Sequence, residues 1–178
     1  MCAVLYNDPT NKGEETMSPK LQEVVDFFIV KSKKEGLPLT NKKLQKLIYY
    51  AQVWNLVFND RRLFDDVIEA WIHGPVVPSV YRKYKKYGRM MIDEDAEFND
   101  KIFDKKELDV LEEVWGIYGK FDGDYLEMLS HSEKPWSMAR GDAEINEKAT
   151  AIINIDLMKN YYKEKIKNVG RTPERIAG

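Results

Sequence analysis

Residues 41–59 constrain the fold more tightly than any other stretch of this chain. Leu44, Leu47, Ile48, Ala51, Trp54 and Phe58 recur at helical spacing, and Tyr50, Val53 and Val57 fill much of the adjoining side. A helix that is apolar over most of its circumference has to be surrounded by protein, so the other elements are expected to wrap around this one. Thr40 suits its N-cap, and Asn59-Asp60-Arg61 suits the turn that ends it. Only the first turn, with Asn41, Lys42, Lys43 and Lys46, is expected to stay in water.

Most of the remaining segments also read as helices. Ser18-Pro19 pairs an N-cap with a first-turn proline, Leu21, Val24, Val25 and Phe28 form one apolar face, and Gly36-Leu37-Pro38 ends the segment. Pro78 opens another helix, with Gly88 as its terminating residue. Asp104-x-x-Glu107 has the spacing of a capping box ahead of Leu108, Leu111, Val114, Trp115 and Tyr118. Asp122-Gly123-Asp124 separates that helix from a short one over Tyr125–His131. Pro135 starts a single turn ended by Gly141, and Asn154 caps a last helix through Met158, Tyr161, Tyr162 and Ile166. Val67 to His73 breaks the helical period, being short, β-branched and aromatic, which predicts a strand of a small ribbon stopped at Gly74-Pro75. The expectation is a mainly α, compact single-domain fold of about six helices with a β element near residues 67–73. It occupies residues 18–167, between an N-terminal extension (1–17) and a polar C-terminal tail (168–178).

Composition narrows the function classes. Twenty-eight Lys plus Arg against thirty Asp plus Glu leave a net charge of −2, which removes the bulk-charge case for a nucleic-acid coat. Cys2 is the single cysteine, so an intrachain disulfide framework and a thiolate zinc cluster are excluded. His73 and His131 have no metal-ligand spacing, and no G-x-S-x-G elbow or Gly-rich phosphate loop is present. No enzyme, metal or cofactor is therefore expected, and binding is the favoured class. No apolar run approaches the ~18 residues of a membrane span and no secretory leader pattern opens the chain, which predicts a cytoplasmic protein without a membrane partner.

Charge and aromatics are unevenly placed. Residues 31–50 and 81–90 each carry a local charge of +5, and residues 91–115 carry −7, a polarity able to steer a charged partner. The run Tyr81-Arg82-Lys83-Tyr84-Lys85-Lys86-Tyr87 has three readings: core-facing tyrosines on an amphipathic helix, a surface for a protein partner, or a nucleic-acid contact. The corner Trp71-x-His73-Gly74-Pro75 is either a structural turn tied by His73 or a rigid ledge presenting Trp71 and His73. Candidate partner-binding residues are Trp71, His73, Arg82, Tyr84 and Lys85, with the acidic segment 93–100 as a second face.

Several of these stretches together resemble one family. Leu44-Gln45-Lys46-Leu47-Ile48-Tyr49-Tyr50-Ala51-Gln52 is similar to the KLQKLLYYAQ helix of the Panacea, or SocA-like antitoxin, domain. Glu69-Ala70-Trp71-Ile72-His73-Gly74-Pro75-Val76-Val77-Pro78-Ser79-Val80-Tyr81 resembles its EAW-x-xGPVVP-x-VY element. His131-Ser132-Glu133-Lys134-Pro135-Trp136 with Ala139-Arg140 resembles HSE-x-PW-x-x-AR. The turn at Asn59-Asp60-Arg61-Arg62-Leu63-Phe64 matches the family's G-x-P-L-F loosely. The likeness runs from about residue 19 to residue 162. It implies a cytoplasmic antitoxin, frequent in prophages, that binds a cognate toxin protein directly. One member type instead acts as an adaptor that delivers toxin to a AAA+ protease.

Overall fold

The computed structural model describes residues 16–143 and 150–169. Seven α-helices follow one another along these residues: α1 (Pro19–Glu35), α2 (Asn41–Asn59), α3 (Pro78–Tyr84), α4 (Lys105–Tyr118), α5 (Gly123–His131), α6 (Lys134–Arg140) and α7 (Ile155–Val169). Strands β1 (Glu69–Trp71) and β2 (Gly74–Val76) lie between α2 and α3, and 3-10 turns occupy Lys85–Tyr87 and Asp100–Ile102. The expected extension and tail fall, for residues 1–15 and 170–178, outside the described residues.

Local chemistry sets the helix ends. Ser18 Oγ accepts from Leu21 N at 3.3 Å, Thr40 Oγ1 from Lys43 N at 3.2 Å, and Asp122 Oδ1 from Tyr125 N at 2.8 Å. Asp104 and Glu107 form the reciprocal capping box, and Asn154 Oδ1 accepts from Leu157 N at 2.9 Å. Gly36 and Asp60 end α1 and α2 in the left-handed region.

α2 is the axis of the fold. It packs against α1, α3, α4, α5, α7 and β2, and Leu44, Leu47, Ile48, Tyr49, Tyr50, Ala51 and Val53 are wholly buried. Its first turn differs from the expectation of a wet surface: Lys43 is 3% and Lys46 1% exposed, and Asn41 is buried too. Main-chain oxygens take the place of water there. Lys43 Nζ donates to Pro38 O (2.9 Å) and Gly119 O (2.6 Å), and Lys46 Nζ to Pro75 O (3.1 Å). At the other end Phe58 is exposed, because the last turn runs past the packed layers, although its ring stacks on Trp54.

The expected small ribbon is a two-stranded antiparallel hairpin, and Gly74-Pro75 does not stop it. Gly74-Pro75 begins its second arm, with pairs Glu69↔Val76, Ala70↔Pro75 and Trp71↔Gly74. Ala70 N donates away from β2, to Ala151 O at 2.8 Å, and Ile153 N donates to Ile68 O at 2.8 Å. The Ala70–Pro75 pair therefore makes no ladder bond, and the N–H that proline lacks is not needed. Residues 151–153 flank β1 on its other side through the Glu69↔Ile152 bridge.

Candidate functional site

Three polar residues that interrupt the apolar surface of α2, Gln45, Lys46 and Gln52, hold segments that lead to or from the hairpin or belong to it. Gln45 Oε1 accepts from Val77 N (2.8 Å), Lys46 donates to Pro75 O, and Gln52 clasps Leu63 N (2.7 Å) and Phe64 O (2.8 Å). From the opposite side Trp136 Nε1 donates to Trp71 O (2.8 Å) and Arg140 Nη1 to Ala70 O (3.3 Å). The hairpin is gripped through its main chain on both sides, which leaves its tip as a rigid projection. Gly74, at φ +93°, lies so close beneath the tip that a Cβ there would sit 2.7 Å from Lys46 Nζ.

Glu133, at the foot of α6, anchors the interior. Its carboxylate accepts from Tyr50 OH (3.1 Å) and Tyr162 OH and pairs with Lys165 Nζ (3.2 Å), joining α2, α6 and α7. Burial raises its pKa, with the Lys165 charge and the tyrosine bonds acting against that rise. Burial likewise lowers Lys46 to about 7, the nearby Glu127 carboxylate opposing it. His131 stacks on Trp136 with ring centres 3.9 Å apart, and burial lowers its pKa.

Trp71, Ile72 and His73 occupy the projecting tip. Trp71 is half-buried; its Nε1 donates to Glu69 Oε2 (2.6 Å) and its ring meets Tyr81 edge-on at 4.9 Å. His73 Nδ1 lies 2.9 Å from Glu127 Oε1, and Lys42 pairs with Glu127 (2.6 Å) and Asp124 (2.8 Å). Burial works against the Glu127 carboxylate, but Lys42 and His73 outweigh it and hold its pKa below the usual range. His73 thus ties the tip to α5 while its ring stays exposed.

The structure brings Trp71 and His73 together on the tip and places Arg82 and Lys85 on the exposed side of the α3 segment, where Arg82 is already engaged. Tyr84 is a correction: it is 0% exposed and offers no surface to a partner. The tyrosine that faces outward is Tyr81, 37% exposed, so the expectation of three core-facing tyrosines fails as well. Residues three apart on an α-helix differ by roughly 60° in direction, which turns Tyr81 off the line of Tyr84, whereas the 3-10 turn from Lys85 keeps Tyr87 on the side of Tyr84, with which its ring stacks. Tyr81 was missed because helical spacing alone assigned it inward, and its contact with Trp71 depends on how β1 crosses α3.

The acidic segment lies against part of the basic charge, with Asp93 and Asp95 themselves exposed. Asp95 pairs with Lys33 (2.7 Å) and Glu94 with Lys86 (2.6 Å), so it neutralises part of the basic charge expected to oppose it. Among the described residues no group of three His, Cys, Asp or Glu is placed to hold a metal ion, and no helix is long and apolar enough to cross a membrane.

Comparison with known proteins matches residues 44–137 to the family described as Antitoxin SocA-like, Panacea domain. That span contains the α2 pins, the hairpin, Tyr81, Glu133 and Trp136. Antitoxin SocA of Caulobacter vibrioides (strain NA1000 / CB15N) is 35% identical over 75 residues, which cover 42% of this chain and 40% of that relative. The chain thus matches less than half of that relative's length. No solved structure matches the chain.

Proposed function

Because the chain belongs to the SocA-like antitoxin family with a Panacea domain, we propose that it is the antitoxin of a toxin–antitoxin pair and neutralises its toxin by direct protein–protein binding. The reading draws on the matched relative, which is named an antitoxin. The observation that carries the direct-binding part is the Trp71–Tyr81 pair, an aromatic patch on a projection gripped through its main chain. Aromatic side chains fixed before contact lose little entropy on binding, and such residues dominate binding energy at interfaces. His73 and the Arg82–Lys85 side of α3 form the polar rim, suited to an acidic surface on the toxin.

Co-expression with a neighbouring open reading frame whose product alone arrests growth tests both parts. Rescue of growth with a stable 1:1 complex on co-purification, lost on Trp71→Ala or Tyr81→Ala without a change in unfolding midpoint, is the expected result. Loss of about 2 kcal/mol or more of affinity at either position is the scale of an anchor. Rescue in which the toxin disappears, and reappears when AAA+ proteases are deleted, replaces neutralisation by delivery to a protease. Absence of any toxic neighbour removes the antitoxin reading.

A further inference from the structure

Glu69 differs from the other carboxylates around the hairpin in having no cation. Asp124 and Glu127 pair with Lys42, and Glu133 with Lys165. Among the described residues the Glu69 side chain makes a single polar contact, and that contact is with an indole. Glutamate is also depleted in strands, and β1 is only three residues long, so local preference does not account for a glutamate there.

The place of the carboxylate is set by pairing on both sides of β1. Side chains alternate along a strand, so Glu69 and Trp71 share the outward face, while Ala70 between them is wholly buried. Val76 and Ile152 lie opposite Glu69 on its two sides. The bonds from Ala70 N to Ala151 O and from Ile153 N to Ile68 O, both 2.8 Å, fix the main chain around it. Trp71 has an equally fixed origin, because Trp136 Nε1 holds its carbonyl at 2.8 Å.

What the main chain leaves open is rotation of the Trp71 indole about its two side-chain bonds. Two contacts stop it: Nε1 donates to Glu69 Oε2 at 2.6 Å, and the ring meets Tyr81 edge-on at 4.9 Å. A hydrogen bond to a carboxylate is short and directional, whereas aromatic pairs accept a range of ring arrangements, so Glu69 is the stricter of the two constraints. We propose that Glu69 is a positioning residue for toxin binding: its carboxylate sets the indole in the orientation that the toxin meets, so the anchor has little rotamer freedom left to lose on docking. This rests on the reading of Trp71 as an anchor and adds the residue that orients its side chain.

The full chain, labelled with 15N at its tryptophan indoles, carries its own controls. Trp54 Nε1 donates to Tyr118 OH and Trp136 Nε1 to Trp71 O, so the Trp136 signal reports any movement of the hairpin main chain, and Trp71→Phe assigns the Trp71 signal. In Glu69→Ala the Trp71 indole N–H resonance moves upfield and exchanges with solvent at least about tenfold faster, while the Trp54 and Trp136 signals stay in place. Glu69→Gln keeps an acceptor oxygen without the charge and restores the Trp71 signal. Affinity for the toxin that co-purifies on co-expression falls about three- to tenfold in Glu69→Ala, the scale of ordering one side chain, and recovers in Glu69→Gln. An unchanged Trp71 signal in Glu69→Ala overturns the proposal by showing that the carboxylate does not hold the indole. A Trp136 signal that moves with it overturns the proposal in favour of general support of the hairpin. Glu69→Gln binding as poorly as Glu69→Ala overturns it in favour of a direct contact between the carboxylate and the toxin. Full affinity in Trp71→Ala instead overturns the anchor reading, and the role of Glu69 in binding falls with it.

Discussion

Replacing Lys46 by methionine should stabilise the protein near neutral pH and cease to do so in alkali. The Lys46 ammonium is fully buried and its pKa falls to about 7 from the ordinary 10.5, with one hydrogen bond, to Pro75 O, as compensation. A folded-state pKa below the unfolded one means that the unfolded chain holds the proton more tightly. Below pH 7 both states are charged and the folded state carries the whole penalty, roughly 5 kcal/mol at about 1.4 kcal/mol per pH unit between the two values. Between pH 7 and 10.5 the unfolded state binds more protons, so stability rises with pH, and the penalty shrinks to about 1 kcal/mol by pH 10. Lys46→Met removes the penalty, keeps the length of the side chain, and leaves Pro75 O unpaired at a cost of about 1–3 kcal/mol. The variant should therefore gain about 2–4 kcal/mol at pH 6 and lose its advantage by pH 10. Urea unfolding of both proteins from pH 6 to pH 10, at constant ionic strength and with matched m-values, gives the comparison. A variant less stable than the parent at pH 6, or parallel pH profiles for the two proteins, would refute the reasoning by showing that the ammonium is not penalised in its site.

Three further outcomes follow from the same geometry. Gly74→Ala combines a left-handed backbone with a Cβ 2.7 Å from Lys46 Nζ and 2.8 Å from Ser130 Oγ, so thermal unfolding should report a loss of about 2–4 kcal/mol. Glu133→Ala strands Tyr50 OH, removes the Lys165 counter-ion and leaves Tyr162 OH with Tyr49 OH alone, and should cost about 3–5 kcal/mol in denaturant titration, whereas Lys165→Ala, which leaves both tyrosines satisfied, should cost less. Charge reversal at Arg82 and Lys85 together should slow association with the toxin by about tenfold at low salt and flatten its salt dependence; an unchanged on-rate in stopped flow removes that side of α3 from the interface.

The apolar surface of α2, the caps at Ser18, Thr40, Asp104 and Asn154, and the first-turn prolines at Pro19, Pro78 and Pro135 were legible in the sequence, because each acts within a few residues of itself. The family likeness was legible for a related reason. Its motif residues Gln45, Lys46, Gln52, Glu133 and Trp136 are the ones that pin segments together, so they mark the fold before they mark any interface. The candidate site was half legible: Trp71 and His73 followed from the Gly-Pro corner, but Tyr84 had to be exchanged for Tyr81.

What the sequence determined by itself was therefore where helices start and stop and which one lies at the centre. The tertiary structure alone decided which polar groups are buried and which aromatics are exposed. Lys43 and Lys46 lose their water to carbonyls 76 and 29 residues away, and Tyr81 gains its exposure beside Trp71 from the way a hairpin crosses α3. A cap is satisfied by neighbours along the chain, whereas an ammonium or a ring is placed by whatever the rest of the chain brings against it.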